Sequence, residues 1–171
     1  MTHKATITQT KGITMPPLLD ELTPLIATWE DCWNRLEPTK LRDWWDPDEI
    51  NPYYVAEEIT DPMFSWDEIM PYWQEAESIL AHFSVRTWDH HCKLVGSDLA
   101  SMQIMMHWNA VLAGPDPTPF GLDVRVSALA RKISDTWLFC QWIESPVGAL
   151  PYIKSRYTSN VDPEFLAAIA H

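Results

Sequence analysis

Apolar residues in the first part of the chain recur at helical spacing. Leu25, Ile26, Trp29, Trp33 and Leu36 fall three and four apart, with Glu30, Asp31, Asn34 and Arg35 between them, which predicts a helix over Thr23 to Leu36. Thr23 and Pro24 have the chemistry of an N-cap followed by a first helical turn. After Pro38, a second short helix through Leu41, Trp44 and Trp45 is predicted to stop at Asp46-Pro47, because the residue before a proline is pushed out of helical geometry. Tyr53 to Val55, entered from Pro52, reads as a short strand. Ser65-Trp66-Asp67-Glu68 matches a capping box. The helix it opens carries the stripe Ile69, Tyr72, Trp73, Ala76, Ile79, Leu80 and Phe83. It is expected to end near Phe83, with Pro71 disturbing its first turns.

From Ser84 the period changes to two. A strand to Val95, a turn at Gly96-Ser97-Asp98 and a long strand from Leu99 to Ala113 make a hairpin. Gly114 to Gly121 holds three prolines and is a loop. A second hairpin follows, Leu122 to Ile133 and Trp137 to Glu144, turning at Ser134-Asp135-Thr136. A proline-punctuated tail leads from Pro146 to a last short helix, Glu164 to Ala170. Helices and one short strand followed by a meander exclude a doubly wound sheet and predict an α+β class. A long antiparallel sheet curled against three N-terminal helices would bury one face and enclose a pocket. The expected organisation is an N-terminal arm over 1–20, one domain over 21–146 and a C-terminal extension over 147–171.

Charge and composition narrow the partners. With 24 acidic against 12 basic residues, the surface opposes nucleic acid and anionic membrane. No stretch approaches the length of an apolar membrane span, and the first fifteen residues lack the apolar core of a secretory signal. Cys32, Cys92 and Cys140 have neither disulfide nor zinc spacing, so a reducing cytoplasm is expected. His90, His91 and Cys92 alternate across a strand and supply too few ligands for a metal. No phosphate loop, dinucleotide fingerprint or serine elbow is present, and no cofactor is expected. Ten tryptophans in 171 residues exceed the needs of one core and point to an aromatic-lined cavity for a small aromatic substrate. Methionine and tryptophan on one strand face also predict a homo-oligomer, dimer or trimer.

The order of elements resembles the nuclear transport factor 2-like superfamily, which includes SnoaL-like cyclases, ketosteroid isomerases and scytalone dehydratase. The residues carrying the likeness are Tyr54-Val55, Thr60-Asp61-Pro62, Trp66-Asp67-Glu68-Ile69 with Tyr72-Trp73, and the closing hairpin from Gly121 through Arg125, Ser127 and Arg131-Lys132 to Trp137-Leu138-Phe139 and Glu144-Ser145. They span roughly Leu22 to Ser145, and the likeness implies that the sheet curves into a cone-shaped α+β barrel over an internal pocket.

That resemblance implies a general base at Asp61, where ketosteroid isomerases place theirs. A second register leaves Asp61 in an exposed turn and puts Tyr54 in the pocket. The isomerase's oxyanion donors are not matched: their positions fall on Trp29 and near Ser127 or Ala128. Arg125, Tyr53, Tyr54 or a histidine would have to replace them. Likeness to scytalone dehydratase implies His82 and His107. On the long strand Ser101, Gln103, His107 and Asn109 share one face, and Ala100, Met102, Ile104, Met106 and Trp108 the other. The polar face either carries acid–base chemistry or meets solvent or a second subunit. Arg125 either binds an oxyanion or pairs across strands.

Asp61, His107, Tyr54, His82 and Arg125 are thus the catalytic candidates. Trp29, Trp33, Tyr53, Phe64, Trp66, Met105, Asn109 and Trp142 are the substrate-binding ones, and Glu57 and Glu58 are spare carboxylates. The expected function is a cofactor-independent lyase on a hydrophobic, hydroxylated aromatic molecule. Removal of formaldehyde from lignin-derived diarylpropane diols to give stilbenes is one such reaction. The alternatives are a dehydratase or isomerase of a polycyclic, polyketide or steroid-like compound, and a non-catalytic binding or interaction domain.

Overall fold

The computed structural model describes residues 18–115, 117–148, 154, 157 and 159–169. Helix α1 spans Leu18–Asn34, a 3-10 turn Pro38–Trp44, strand β1 Tyr53–Val55 and helix α2 Trp66–Ile79. Four long strands follow: β2 Leu80–Leu94, β3 Leu99–Leu112, β4 Phe120–Ile133 and β5 Thr136–Pro146. A short helix α3, Pro163–Ile169, comes last. The five strands form one open, curved sheet in the order β1-β5-β4-β3-β2. The long strands pair antiparallel, and β1 joins β5 in parallel. Among the described residues no helix is long and apolar enough to cross a membrane. Most of the expected arm and part of the tail after Gly148 lie outside the described residues, although Leu18 to Asp20 are already helical.

Two helix boundaries differ from the sequence pattern. Helix α1 is under way five residues before Thr23, whose hydroxyl bonds the carbonyl of Leu19 at 2.8 Å instead of capping a terminus; Pro24 is accommodated inside the helix. The helix closes after Asn34 with Leu36 in the left-handed region at φ 57°. Glu37 N–H reaches Cys32 O at 2.9 Å and Leu36 N–H reaches Trp33 O at 3.0 Å, the paired closing bonds of a Schellman turn. At the second boundary, α2 ends at Ile79 and Leu80 is already in β2. The shared stripe makes the change of period invisible there, because Leu80 and Phe83 serve the same core from a strand. At the other end of α2, Glu68 folds back to accept from Phe64 N–H at 2.8 Å and Ser65 Oγ–H at 3.0 Å.

Helix α1 lies across β2 and β5 and buries Leu22, Leu25, Ile26, Trp29, Cys32 and Trp33. Its polar side also has a structural task. Strand β2 is a sheet edge, and its exposed N–H groups would invite pairing with another chain. Asn34, one turn after Glu30, accepts from Val85 N–H at 2.7 Å and donates to Val85 O at 3.1 Å, while Glu30 accepts from Thr87 N–H and Thr87 Oγ–H.

On β3 and β4 the even positions Ala100, Met102, Ile104, Met106, Val124, Val126, Ala128 and Ala130 are buried under the helices. On β5 the alternation slips. A register shift opposite Leu129 and Ala130 leaves Cys140 as an extra residue: Phe139 pairs with Ala130 and Gln141 with Leu129. This bulge reverses parity, so Trp137 and Phe139 before it and Trp142 and Glu144 after it all face the core. The β4–β5 turn is a two-residue loop with Ser134 and Asp135 at φ 48° and 69°, the geometry that matches strand twist. At the other end of β4, Gly121 lies so close to β3 that a Cβ would stand 2.6 Å from Trp108 O and 2.7 Å from Asn109 Oδ1.

Candidate functional site

The space between sheet and helices is a cavity of about 330 Å³. Trp29 and Trp33 of α1, Tyr72 and Ala76 of α2, Phe83 and Val85 of β2, and Met106, Trp108 and Ala110 of β3 form its walls; Ile79, Leu112 and Phe120 stand partly exposed around it. Its polar groups are Tyr54, Tyr72 and four glutamates, Glu57, Glu58, Glu75 and Glu144, and no lysine, arginine or histidine is among the described residues lining it.

Three of the glutamates converge. Carboxylate oxygens of Glu57, Glu58 and Glu144 lie within 4.8 Å of one another. Glu57 and Glu58 come from the turn after β1, and Glu144 from β5, delivered inward by the Cys140 bulge. Each has its own donor: Trp108 Nε1–H to Glu57 at 2.9 Å, Tyr72 O–H to Glu58 at 2.5 Å, and Trp142 Nε1–H to Glu144 at 2.6 Å. Trp142 is held by stacking on Trp29, ring centroids 3.6 Å apart. Helix α1 therefore fixes the donor that fixes the acid.

Like charges at this spacing cannot all be ionised in an apolar enclosure. Glu144, 8% exposed, is held well above the usual carboxylate range, first by burial, then by its hydrogen bond with Glu57 and the Glu57 charge, against the lowering effect of Trp142. Glu58 at the rim is raised too, chiefly by desolvation, partly offset by the Tyr72 hydrogen bond. Burial and the neighbouring Glu144 charge keep the Tyr54 phenol protonated far above its ordinary range. Tyr72 is raised likewise, by burial and then by Tyr54 and Glu58. The site thus holds proton donors, Glu144 and two phenols, beside carboxylates that can accept. The same oxygens are of the hard type that binds divalent cations, though three carboxylates fall short of the full shell such ions take.

Of the sequence candidates, Trp29, Trp33 and Tyr54 line the cavity, and Trp142 stands directly behind it. Asp61 is exposed in the turn before Met63, the register that puts Tyr54 in the pocket. His107 lies on the outer face of β3, bonded to Asp123 at 2.7 Å and Asn109 at 3.1 Å. Met105, Asn109 and Arg125 share that outer face, and His82 is exposed on β2. Tyr53 and Phe64 pack on each other at 5.0 Å, away from the cavity, and Trp66 packs on Trp45 under the guanidinium of Arg42. The polar strand face read as a possible site is therefore the outside of the sheet: with the even positions buried, the odd ones point away from the helices. Glu144, Tyr72 and Trp108 were not among the sequence candidates. Glu144 was hidden by the bulge; Trp108 shares the even face of β3 with the buried methionines, and that shared face was the available signal.

No family model matches the chain, and no curated protein matches it. Solved structures do. A candidate dehydratase of the nuclear transport factor 2-like family from Streptomyces avermitilis superposes with a TM-score of 0.66 at 16% identity, over 77% of this chain and 97% of that one. This chain has the nuclear transport factor 2-like fold. A candidate scytalone dehydratase from Novosphingobium aromaticivorans gives 0.67 at 10% identity over 77% and 85%. A type 2 hexachlorocyclohexane dehydrochlorinase gives 0.62 at 8% identity over 77% and 89%. The fold is thus shared with proteins named for elimination reactions.

Proposed function

We propose that the chain is an acid–base enzyme of the lyase class, eliminating a small leaving group from a hydrophobic aromatic molecule held in the cavity. The observation that carries the reading is the buried Glu144 carboxyl, held in its neutral form beside Glu57 and Glu58 at the end of an apolar, aromatic enclosure. An elimination needs one group to take a proton and another to give one, and environments that push neighbouring carboxyls apart assign those roles. Glu58, the carboxylate at the rim, takes the proton. The electron pair of the broken C–H bond forms the double bond, and the leaving hydroxide takes the proton of Glu144 and departs as water. The proton on Glu58 then returns to Glu144 through Glu57, which restores the starting state. Tyr54 and Tyr72 are donors for a carbonyl or phenol oxygen of the substrate.

Deformylation of a diarylpropane diol fits the same scheme. The base takes the proton of the terminal hydroxymethyl oxygen, the adjacent C–C bond breaks to release formaldehyde, its electrons form the stilbene double bond, and the benzylic hydroxide leaves with the proton of Glu144. Dehydration is the first of these schemes, with a C–H bond broken in place of the C–C bond, and in isomerisation a proton taken from one carbon is returned to another and no group leaves.

The test is turnover of a panel: the aldol of benzaldehyde and acetone, whose dehydration to benzylideneacetone is followed by absorbance, its ring-substituted analogues, both neutral and aminomethyl-bearing, and diarylpropane diols. Glu144→Gln and Glu58→Gln are each expected to lose on the order of 10²-fold or more, as removal of a positioned acid or base does. Product from no member of the panel, or full turnover in both variants, overturns the proposal.

A further inference from the structure

The cavity is lopsided in a way that acid–base chemistry does not require. Elimination needs one acid and one base, yet four glutamates line this space, no described cationic residue does, and the aromatic side chains of Trp29, Trp33, Tyr72, Phe83 and Trp108 stand in its walls. An anionic ligand would meet the repulsion of the carboxylates with no described cationic side chain to offset it. A neutral one would leave the carboxylates crowded and desolvated with no compensation. A positively charged organic group meets both requirements, since aromatic faces attract cations through their quadrupoles and the carboxylates supply the counter-charge. From this arrangement we infer that the ligand of the cavity is a lipophilic organic cation, an aryl-alkyl amine protonated at neutral pH or its quaternary equivalent, its ammonium against Glu57 and Glu58 and its apolar body against the tryptophans. The inference rests on the cavity being the working site and narrows the substrate class within the proposed function.

One linkage follows from the geometry. The groups facing the ammonium position are Glu57 and Glu58 from the β1–α2 turn, Tyr54 from β1, Tyr72 and Glu75 from α2, Trp108 from β3 and Glu144 from β5. A permanent cation against Glu57 and Glu58 favours the ionised form of Glu58, whose carboxyl desolvation raises, so its binding releases that proton and strengthens as pH rises, while the more deeply buried Glu144 keeps its own. A neutral ligand of the same shape releases none.

The test titrates the full-length protein with three probes of one shape and different charge: benzyltrimethylammonium, neopentylbenzene and phenylmethanesulfonate. Binding is followed by tryptophan emission and by calorimetry in buffers of different ionisation enthalpy, with magnesium chloride as a competitor. The ammonium is expected to bind at least about tenfold more tightly than its neutral isostere and to release up to one proton. The sulfonate is expected not to bind. Glu58→Gln and Glu57→Gln are each expected to weaken the ammonium several-fold and leave neopentylbenzene unchanged; if one variant fails to fold, the other decides. Equal or tighter binding of neopentylbenzene, unchanged ammonium affinity in the variants, or displacement of the ammonium by low-millimolar magnesium overturns the inference. Turnover distinguishes the two proposals. Cation selectivity with an unimpaired Glu144→Gln enzyme sinks the acid–base reading alone, and loss of turnover without cation selectivity sinks this one alone.

Discussion

Asp46 and Glu144 are the two buried carboxylates among the described residues, and the protein treats them in opposite ways. Asp46, 1% exposed, is paired with Arg131, accepts from Asp48 N–H at 2.9 Å and shares the same guanidinium nitrogen with Glu49, which lies 3.5 Å from it. The ion pair fastens the segment after the 3-10 turn to β4. Glu144 lies on β5, which that segment also touches through Asp46 N–H to Phe139 O at 2.8 Å, yet it receives no cation, only an indole N–H and two further carboxylates. A buried acid left without a counter-charge costs stability when it ionises, so its presence is explained by use rather than by folding.

The contrast can be broken in four ways. Arg131→Met strands Asp46 as an unpaired buried charge and should cost about 3 kcal/mol, the lower end for breaking a buried pair because Arg131 is itself 37% exposed; urea unfolding at neutral pH measures it. A loss under about 1 kcal/mol would mean that Asp46 is not the anchor described.

Glu144→Gln should do the reverse. Below about pH 4.5 the carboxyl is neutral in both the folded and the unfolded chain, so the substitution changes little. As pH rises the unfolded chain releases the proton and the native state keeps it, so wild-type stability falls, by about 1.4 kcal/mol for each unit by which the folded pKa exceeds the unfolded one. The variant lacks this slope and should overtake wild type as pH rises into the neutral range. Thermal melts across pH decide; parallel curves would contradict the buried neutral acid.

Trp142→Phe removes the N–H that favours the ionised form of Glu144. The expected effect is a loss of about 1 kcal/mol in acid that widens with pH, so the slope steepens where Glu144→Gln flattens it. Glu49→Gln, at 3.5 Å from a partly exposed arginine, should change urea stability by no more than about 0.5 kcal/mol. A larger effect would make Glu49 an equal partner of Asp46.

The fold was legible in the sequence because its signals are local and repeated. The two hairpins, the short strand and the stripe of α2 follow directly from periods of two and 3.6. The start of α1 was not legible: Thr-Pro has the same chemistry at a helix terminus as inside a helix whose threonine bonds backward. The site was legible only where side chains obey the period. Trp29 and Trp33 sit on a helix stripe, and Tyr54 faces the core from β1. Strict alternation from Trp137 puts Phe139, Gln141 and Ile143 inward and Glu144 outward, and only the extra residue at Cys140 reverses this. The register of a bulge depends on the partner strand, which a reading of one strand does not contain. Asp61 and His107 were drawn from the resemblance, whose motifs locate elements of the fold and leave the orientation of single side chains open.

Gly121 has no side chain and is absent from the cavity wall, yet a methyl group there would collide with the backbone of Trp108, whose ring walls the cavity and whose N–H holds Glu57. In a saturation-mutagenesis map this position would therefore score with the glutamates, as intolerant of alanine as they are of glutamine, and it would be read as part of the chemistry. What it guards is the spacing of two strands, so a screen for lost activity would recover the architecture and the reaction in one indivisible set.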